Sequence, residues 1–209
     1  MPSRDRIRRA ALVLVALLLA APSDAAPASE SDRQVARSTV QETVDAVLAI
    51  LRDASLSSQQ KQDRISEIAY ARFDFQTISK LVLARNWQRL SPQQRIDFEA
   101  EFKRHLSVTY GSSVDRYSNQ SVEITDTRAE TNGDVTVRTR ILGNGQPFLV
   151  DYRLRSNSAD WYVIDVIVEN VSLLSNFRSQ TQEIISQEGP DGLIRKLREK
   201  NTESKSESS

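Results

Sequence analysis

Cysteine is absent from the chain of 209 residues, and histidine occurs once, as His105. The absence of cysteine excludes a disulfide framework, thiolate chemistry and the acylation site of a lipoprotein. One histidine without cysteine does not make a usual zinc site. The sequence also has no glycine-rich phosphate loop, no G-x-S-x-G motif, no H-E-x-x-H helix and no acidic metal-binding cluster. We therefore expect no catalytic residue, no metal and no cofactor, and we interpret His105 as a boundary residue, with a general base as the alternative.

An excess of one charge is also lacking, since the chain has 28 basic and 28 acidic residues. Removing residues 1–25 takes away four arginines and two aspartates, which leaves 24 basic and 26 acidic residues. The charges are interspersed until the polar segment NTESKSESS at 201–209. This distribution gives no indication of nucleic acid as a partner, and it predicts a disordered tail at 201–209.

Long apolar runs are missing except at residues 10–21, which follow four arginines between positions 4 and 9. This layout is typical of a secretory signal peptide, and small residues favour cleavage after Ala25 or Ala28. The run is shorter than the roughly 20 residues that a membrane anchor needs. We therefore assign residues 1–25 to a cleaved signal peptide, with an uncleaved anchor as the alternative. The mature chain is expected to be a soluble monomer of a bacterial periplasm.

Apolar residues spaced by three and four predict helices in both halves of the chain. The first helix covers 33–54, the second ends near Tyr70, and the third contains a stripe that begins at Phe75. A fourth helix begins at Ser91-Pro92, where serine can cap and proline suits the first helical position. The last helix is broken by Gly189-Pro190, and a short helix follows from about 191 to 200.

Between the fourth and the last helix the apolar period changes to two, which predicts strands. Four such runs lie between about residues 121 and 168, and Asn132-Gly133 and Asn144-Gly145 are hairpin signals between them. The sequence therefore predicts an α+β fold with a twisted antiparallel sheet of about four strands packed by amphipathic helices, of the NTF2-like or cystatin-like kind.

The fourth predicted strand, WYVIDVIV at 161–168, is apolar on both faces. Its second face must contact another helix or line a ligand cavity, and the pattern leaves both possibilities open. Strict alternation places Asp165 on the same face as Val163, and Val166 on the opposite face. We interpret Asp165 as a structural hydrogen-bonding residue, bound to backbone or to Arg178; a general base of an isomerase-type site is the alternative.

Several linked segments resemble the MlaC family of toluene-tolerance or phospholipid-shuttle proteins. They read FDF at 73–75, SPQQRIDFEAEF at 91–102, VDYRL at 150–154, WYVIDVIVENVSLLSNFR at 161–178 and DGLIRKL at 191–197. Two positions depart from the family pattern, because Asn170 and Ala84 stand where the family usually has glycine. These departures leave the subgroup open, since relatives associated with hopanoid lipids share the same segments.

The resemblance implies a periplasmic carrier, with a lipid-binding domain at 29–200, that takes the tails of a phospholipid between its sheet and helices. It also implies exchange with membrane-bound partners, namely an inner-membrane ABC transporter complex and an outer-membrane lipoprotein complex, and no enzymatic activity. The alternatives are a hopanoid-associated lipid carrier, an isomerase-type enzyme that uses Asp165, and a periplasmic protein-interaction module with an ordinary core.

The residues expected to contact the lipid tails are apolar or aromatic positions on the third, fourth and last helices and on the last two strands. They are Phe75, Ile78, Val82, Phe102, Leu106, Val150, Tyr152, Trp161, Val163, Leu174 and Phe177. Long basic side chains at the pocket mouth are expected to serve in docking, with Lys80, Arg85 and Arg178 as candidates.

Overall fold

The computed structural model describes residues 27–111, 120–143, 145–158 and 160–207. The predicted signal peptide at 1–25 lies outside these ranges. Within them the chain forms five α-helices, one 3₁₀ helix and five strands. In chain order these are α1 Glu30–Arg52, α2 Ser58–Arg72, α3 Phe75–Leu83, the 3₁₀ helix Ala84–Arg89, α4 Pro92–Gly111, β1 Ser121–Ala129, β2 Val135–Leu142, β3 Phe148–Asn157, β4 Asp160–Val168, β5 Val171–Ser172 and α5 Leu173–Glu207.

The strands form a single antiparallel meander in the order β1-β2-β3-β4-β5, which confirms the predicted α+β fold. The sheet has five strands and not four, because the two residues of β5 pair with the end of β4. The predicted turn at Asn132-Gly133 is present, and Gly133 has a φ of 82° that glycine adopts without steric cost. Asn144, from the second predicted turn, lies outside the described residues.

A β-bulge in β4 corrects the predicted alternation of this strand. Leu154 of β3 pairs with Val163, and the preceding Arg153 pairs with Asp165, so Ile164 is an extra residue without a partner. Beyond the bulge, Tyr152 pairs with Val166, and paired residues share a face of the sheet. Val163 and Val166 therefore lie on the same face, and Asp165 lies on the other. The residues of β4 that share the face of Val163 have odd numbers before the bulge and even numbers after it. This change is part of the reason why the sequence of β4 looks apolar on both faces.

Serine caps fix where the helices begin. The backbone N–H of Gln94 donates to Ser91 Oγ at 3.2 Å, and the backbone N–H of Ser91 donates to Gln94 Oε1 at 2.9 Å. This reciprocal pair satisfies two donors that a helix start would otherwise leave free, as the sequence predicted. Ser29 and Ser57 make the same capping box at the starts of α1 and α2.

The last helix differs from the prediction at its end. Gly189 has φ 70° and Pro190 follows it, so α5 consists of two helical segments joined at a kink, as expected. The segment after the kink continues to Glu207, so the expected disorder does not hold for residues 201–207. Asn201 is fully buried, and its side-chain amide donates to the backbone oxygen of Glu101 and to Glu101 Oε2, both at 3.0 Å. These bonds attach the predicted tail to α4.

Buried apolar side chains form two clusters in the described part of the chain. The filled core lies between α3, α4 and α5 and includes Ile164 from the bulge; its members include Leu83, Leu90, Phe98, Ile185, Leu193 and Leu197. The sheet core lies between α1 and the inward face of the sheet and contains Ala36, Val40, Val135, Val137, Leu154, Trp161 and Val163. Helix α2 belongs to neither cluster.

Candidate apolar binding site

Two adjoining apolar cavities lie beside these clusters. The first lobe has a volume of about 380 Å³ and lies between α2, α3, α4, β4 and the start of α5. The second lobe has a volume of about 330 Å³ and lies between α1, α2 and the sheet. Five residues line both lobes and therefore form their common wall: Ile65, Ala69, Phe73, Tyr110 and Tyr152.

Helix α2 supplies much of this wall, and its burial reflects that position. All of its residues are described, and none of its side chains is fully buried. Ile65 and Ala69 face both lobes, while Ile68 faces the second. An apolar stripe normally packs against a neighbouring element. On α2 the stripe instead borders empty space, which leaves room for an apolar molecule.

The structure brings nine of the eleven predicted contact residues to the two lobes. Val163 lines the second lobe and Tyr152 lines both, while the first lobe is lined by Phe75, Ile78, Val82, Phe102, Leu106, Leu174 and Phe177. Val150 and Trp161 line neither lobe. Trp161 is buried in the sheet core, and the backbone oxygen of Val150 accepts a hydrogen bond from Thr139 Oγ1 at 2.6 Å. Direct contact between the nine side chains and a lipid stays a prediction.

Sequence reasoning did not assign the second lobe or the α2 wall. The stripe of α1 that lines the second lobe was visible in the sequence as helical spacing, and so was the pair Ile65 and Ile68 on α2. Spacing shows that a helix has an apolar face, but it does not show whether that face is packed or open. The α1 residues that line the second lobe are Val40, Val44, Val47, Leu48 and Leu51.

Asp165 borders the first lobe, but both of its carboxylate oxygens are engaged. The Ser172 hydroxyl donates to Oδ2 at 2.6 Å, and the backbone N–H of Leu174 donates to Oδ1 at 3.0 Å. Ser172 Oγ in turn accepts from the backbone N–H of Ser175 at 3.0 Å, which caps α5. Asp165 thus fixes the start of α5 against β4, in agreement with a structural role. Its partners are not Arg178, whose Nε donates to the backbone oxygen of Leu81 at 2.9 Å.

His105 lies on α4 beside the filled core, with its ring edge-on to Phe177 at a centroid distance of 6.1 Å. Burial lowers the pKa of this imidazole below 6.5, the nearby Lys200 lowers it further, and a hydrogen bond with Asn201 opposes both effects. The neutral ring is therefore favoured in the folded protein.

Lys103 is the cation at the edge of the first lobe. Its Nζ lies 3.8 Å from the ring centroid of Tyr70 and 5.4 Å from that of Phe75. Lys103 also lines an adjoining surface cleft that contains Tyr162 and Asn157. Within the described residues it has no carboxylate within ion-pair distance. The ammonium therefore lies where the apolar wall meets the surface.

The three basic residues predicted for the mouth line neither lobe. Lys80 donates to Gln76 Oε1 at 3.2 Å on the exposed side of α3. Arg85 lines a separate surface cleft next to α5, and Arg178 contacts the α3 backbone as described above. The basic residue that lines the first lobe is Lys103, and the docking role of the other three stays a prediction.

Fold and cavities together define an α+β protein whose helices and meander sheet enclose adjoining apolar lobes. The family model described as MlaC protein matches residues 41–199. The chain belongs to the MlaC family, which confirms the resemblance found in the sequence motifs.

Individual relatives carry names that refer to toluene tolerance and to phospholipid. The chain is 27% identical over 187 residues to the toluene tolerance protein ttg2D of Pseudomonas putida, covering 88% of this chain and 85% of that protein. It is 28% identical over 123 residues to the intermembrane phospholipid transport system binding protein MlaC of Haemophilus influenzae, covering 56% and 58%. A phospholipid-binding protein from Ralstonia solanacearum, solved in complex with a phospholipid, superposes with a TM-score of 0.74 at 28% identity, covering 81% of this chain and 98% of that one.

Proposed function

We propose that this protein is a phospholipid-binding carrier of the bacterial periplasm and that it moves phospholipid between the inner and outer membranes. The observation that carries the proposal is the pair of adjoining apolar lobes in a chain of the MlaC family. The solved relative with a bound phospholipid supports the same ligand class. The carrier acts without covalent chemistry, so it needs no catalytic residue.

The physical need for such a carrier follows from the acyl chains. Each buried CH₂ group contributes about 0.8 kcal/mol, so a 16-carbon tail in bare water would lose roughly 12 kcal/mol. A dry cavity removes most of that barrier. Each lobe is at the lower end of the size range of ligand pockets, about 300 to 1,000 Å³. Two adjoining lobes suit two tails that leave one glycerol.

Lys103 is the residue that we assign to the phosphate of the headgroup. A phosphate next to this ammonium would gain a charge-assisted hydrogen bond, while the tails stay in the apolar lobes. Replacing Lys103 by Gln should therefore weaken binding of a phospholipid more than binding of a diacylglycerol, which has the same tails and no phosphate. Equal weakening of both lipids in a displacement assay would reject this assignment.

The proposal includes export of the protein to the periplasm and two membrane-bound partners. The signal-like segment at 1–25 supports export to the periplasm. Within the described residues, no helix combines the length and the apolar character that a membrane span requires. The membrane-bound partners that we propose are an inner-membrane ABC transporter complex and an outer-membrane lipoprotein complex, which the carrier meets as a monomer.

The alternatives receive less support from the site. An isomerase-type enzyme would need a free carboxylate, and both oxygens of Asp165 already accept hydrogen bonds. A protein-interaction module would have an ordinary packed core, and the α2 stripe borders unfilled space instead. A hopanoid-associated carrier would use the same lobes, so the bound lipid itself has to separate it from a phospholipid carrier.

Native mass spectrometry of the mature protein, purified from a periplasmic extract, tests the proposal. The expected result is a co-purifying phospholipid, identified by extraction and fragmentation. A polycyclic hopanoid instead would favour the hopanoid alternative, and a protein without any lipid would reject the carrier function.

A matched pair of variants on α2 tests whether the lobes hold that lipid. Ile65→Lys places a charge in the common wall, whereas Glu67→Lys places the same residue on the exposed side of the same helix. Ile65→Lys should lose the lipid and Glu67→Lys should keep it. If both variants keep it, the lobes are not the binding site.

A further inference from the structure

Tyr152 occupies a particular place in the common wall of the two lobes. It lies in the middle of β3, paired with Val137 on β2 and with Val166 on β4. Its ring lines both lobes. Since the neighbouring wall residues Ile65, Ala69 and Phe73 are apolar, the Tyr152 hydroxyl is a polar group in otherwise apolar surroundings.

The hydroxyl of Tyr152 makes no hydrogen bond with any residue that the structure describes. The serine and threonine hydroxyls in the walls are satisfied: those of Ser66 and Ser107 bond to each other at 2.8 Å, and that of Thr43 donates to the backbone oxygen of Thr39 at 2.6 Å. Burial raises the pKa of Tyr152 to about 12, so its O–H stays protonated and remains a donor. Tyr152 is only half-buried while the lobes are empty. A molecule that fills the lobes excludes water from this donor, and a buried donor without a partner is costly and uncommon, which points to a partner supplied by the ligand.

The chemistry of a two-tailed lipid indicates what that partner is. If each lobe holds one tail, the two tails converge on the glycerol at the common wall. The groups that join tails to glycerol are esters, whose carbonyl oxygens accept hydrogen bonds and donate none. A phenolic O–H that only donates is complementary to them.

We propose that Tyr152 donates a hydrogen bond to an ester carbonyl of the bound lipid and so selects ester-linked diacyl lipids over ether-linked ones. This inference rests on the proposed function, because it assumes that the lobes hold lipid tails. Tyr110 is the other tyrosine in the common wall, but it is more exposed, with 46% of its surface accessible. Water can satisfy its hydroxyl, so it gains less from a ligand.

A competition experiment on the full mature protein tests the inference. The delipidated protein is mixed with equal amounts of diacyl phosphatidylglycerol and of its di-O-alkyl analogue with the same chain length, and native mass spectrometry gives the ratio of the two complexes. The same measurement is made on Tyr152→Phe and Tyr110→Phe. Because both lipids compete for one protein sample, the ratio does not depend on the fraction of protein that is folded.

The wild type is expected to favour the ester lipid by about five- to tenfold, the value of one hydrogen bond. Tyr152→Phe should bring the ratio close to one, and Tyr110→Phe should leave it unchanged. Equal binding of the two lipids by the wild type would overturn the inference, and so would a ratio retained in Tyr152→Phe or lost in Tyr110→Phe. Binding of neither lipid would instead reject the proposed function.

Discussion

The filled core and the α2 side of the molecule are both built from amphipathic helices, yet they pack differently. In the filled core, Phe98 is 0% exposed and lines neither lobe. Its ring stacks on Phe102 with centroids 5.4 Å apart, and Phe102 and Phe177, whose rings meet edge-on at 5.1 Å, form the border between this core and the first lobe. On the α2 side, Ile65 and Ala69 border the two lobes, and no side chain of the fully described helix is completely buried. The difference lies in the facing element and not in the residues of the stripe.

This difference shows how one chain combines stability with a binding site. Atoms that line a void lose dispersion contacts on one side. The walls of the lobes therefore contribute less to the free energy of folding than a packed core of equal area does. An apolar ligand restores those contacts when it enters. The filled core therefore has to stabilise the fold while the lobes are empty. On the α2 side, a bound ligand should change the free energy of unfolding more than a single substitution does.

The largest contrast is expected from truncating one residue on each side. Phe98→Ala removes a ring that is 0% exposed and should lower the free energy of unfolding by about 3–5 kcal/mol. Ile65→Ala should cost about 1 kcal/mol or less, because much of its surface already faces a void. Urea unfolding of the delipidated proteins measures both values. A cost for Ile65→Ala as large as that for Phe98→Ala would mean that the α2 side is packed.

A second contrast comes from adding volume in place of removing it. Ala36 is 0% exposed in the sheet core, so Ala36→Phe should destabilise the protein by about 1–3 kcal/mol through overpacking. Ala69→Phe projects into the lobes and should cost less than about 0.5 kcal/mol in the lipid-free protein. The same variant should reduce the amount of co-purified lipid. Equal destabilisation by the two substitutions, with lipid content unchanged, would show that no open space lies beside α2.

The sequence predicted the elements of both sides but not which side is hollow. The start of α4 at Ser91-Pro92, the kink at Gly189 and the meander followed from local patterns, because caps, breakers and alternation act over a few residues. The bulge at Ile164 did not follow, because the bulged residue has no distinctive chemistry and both registers leave apolar residues inward. Open space behind α2 depends on how far apart distant elements lie, and no local spacing records that distance.

The two departures from the family pattern were visible in the sequence, but their structural meaning was not. Ala84 has φ 49° and Asn170 has φ 66°, so both stand where the backbone adopts a positive φ that glycine tolerates best. The Asn170 turn also has Glu169 at φ 47°, and Glu169 Oε1 accepts from the backbone N–H of Leu149 at 2.6 Å. The turn is therefore held by a side chain as well as by its own residues.

Acid should weaken the filled core through His105. Burial lowers the pKa of this group in the folded state, so near pH 6.5 the unfolded state binds more protons and the free energy of unfolding rises with pH. The contribution of neutral His105 is present above its unfolded pKa and decreases as the pH falls below about 6.5. His105→Gln should remove this part of the acid sensitivity, while the other titrating groups affect both proteins alike. Urea unfolding at pH 8 and pH 5 measures the difference, and an equal loss in variant and wild type would show that His105 is solvated.

The smallest effects are expected at Ala84 and Asn170, the two positions with positive φ where the family usually has glycine. One lies beside the filled core and the other beside the first lobe. Ala84 follows Leu83 of the filled core, whereas Asn170 lies in the turn after Val168, which lines the first lobe. Ala84→Gly should raise the free energy of unfolding by about 1 kcal/mol, because an alanine Cβ is disfavoured at positive φ. Asn170→Gly should gain less, about 0.5 kcal/mol, because asparagine tolerates a left-handed turn better than alanine does.

Chemical unfolding of the single and double variants checks both values and their additivity, which holds for distant sites. Because neither residue lines a lobe, lipid content should stay constant in both variants; a change of lipid content in Asn170→Gly alone would show that the β4–β5 turn sets the shape of the first lobe.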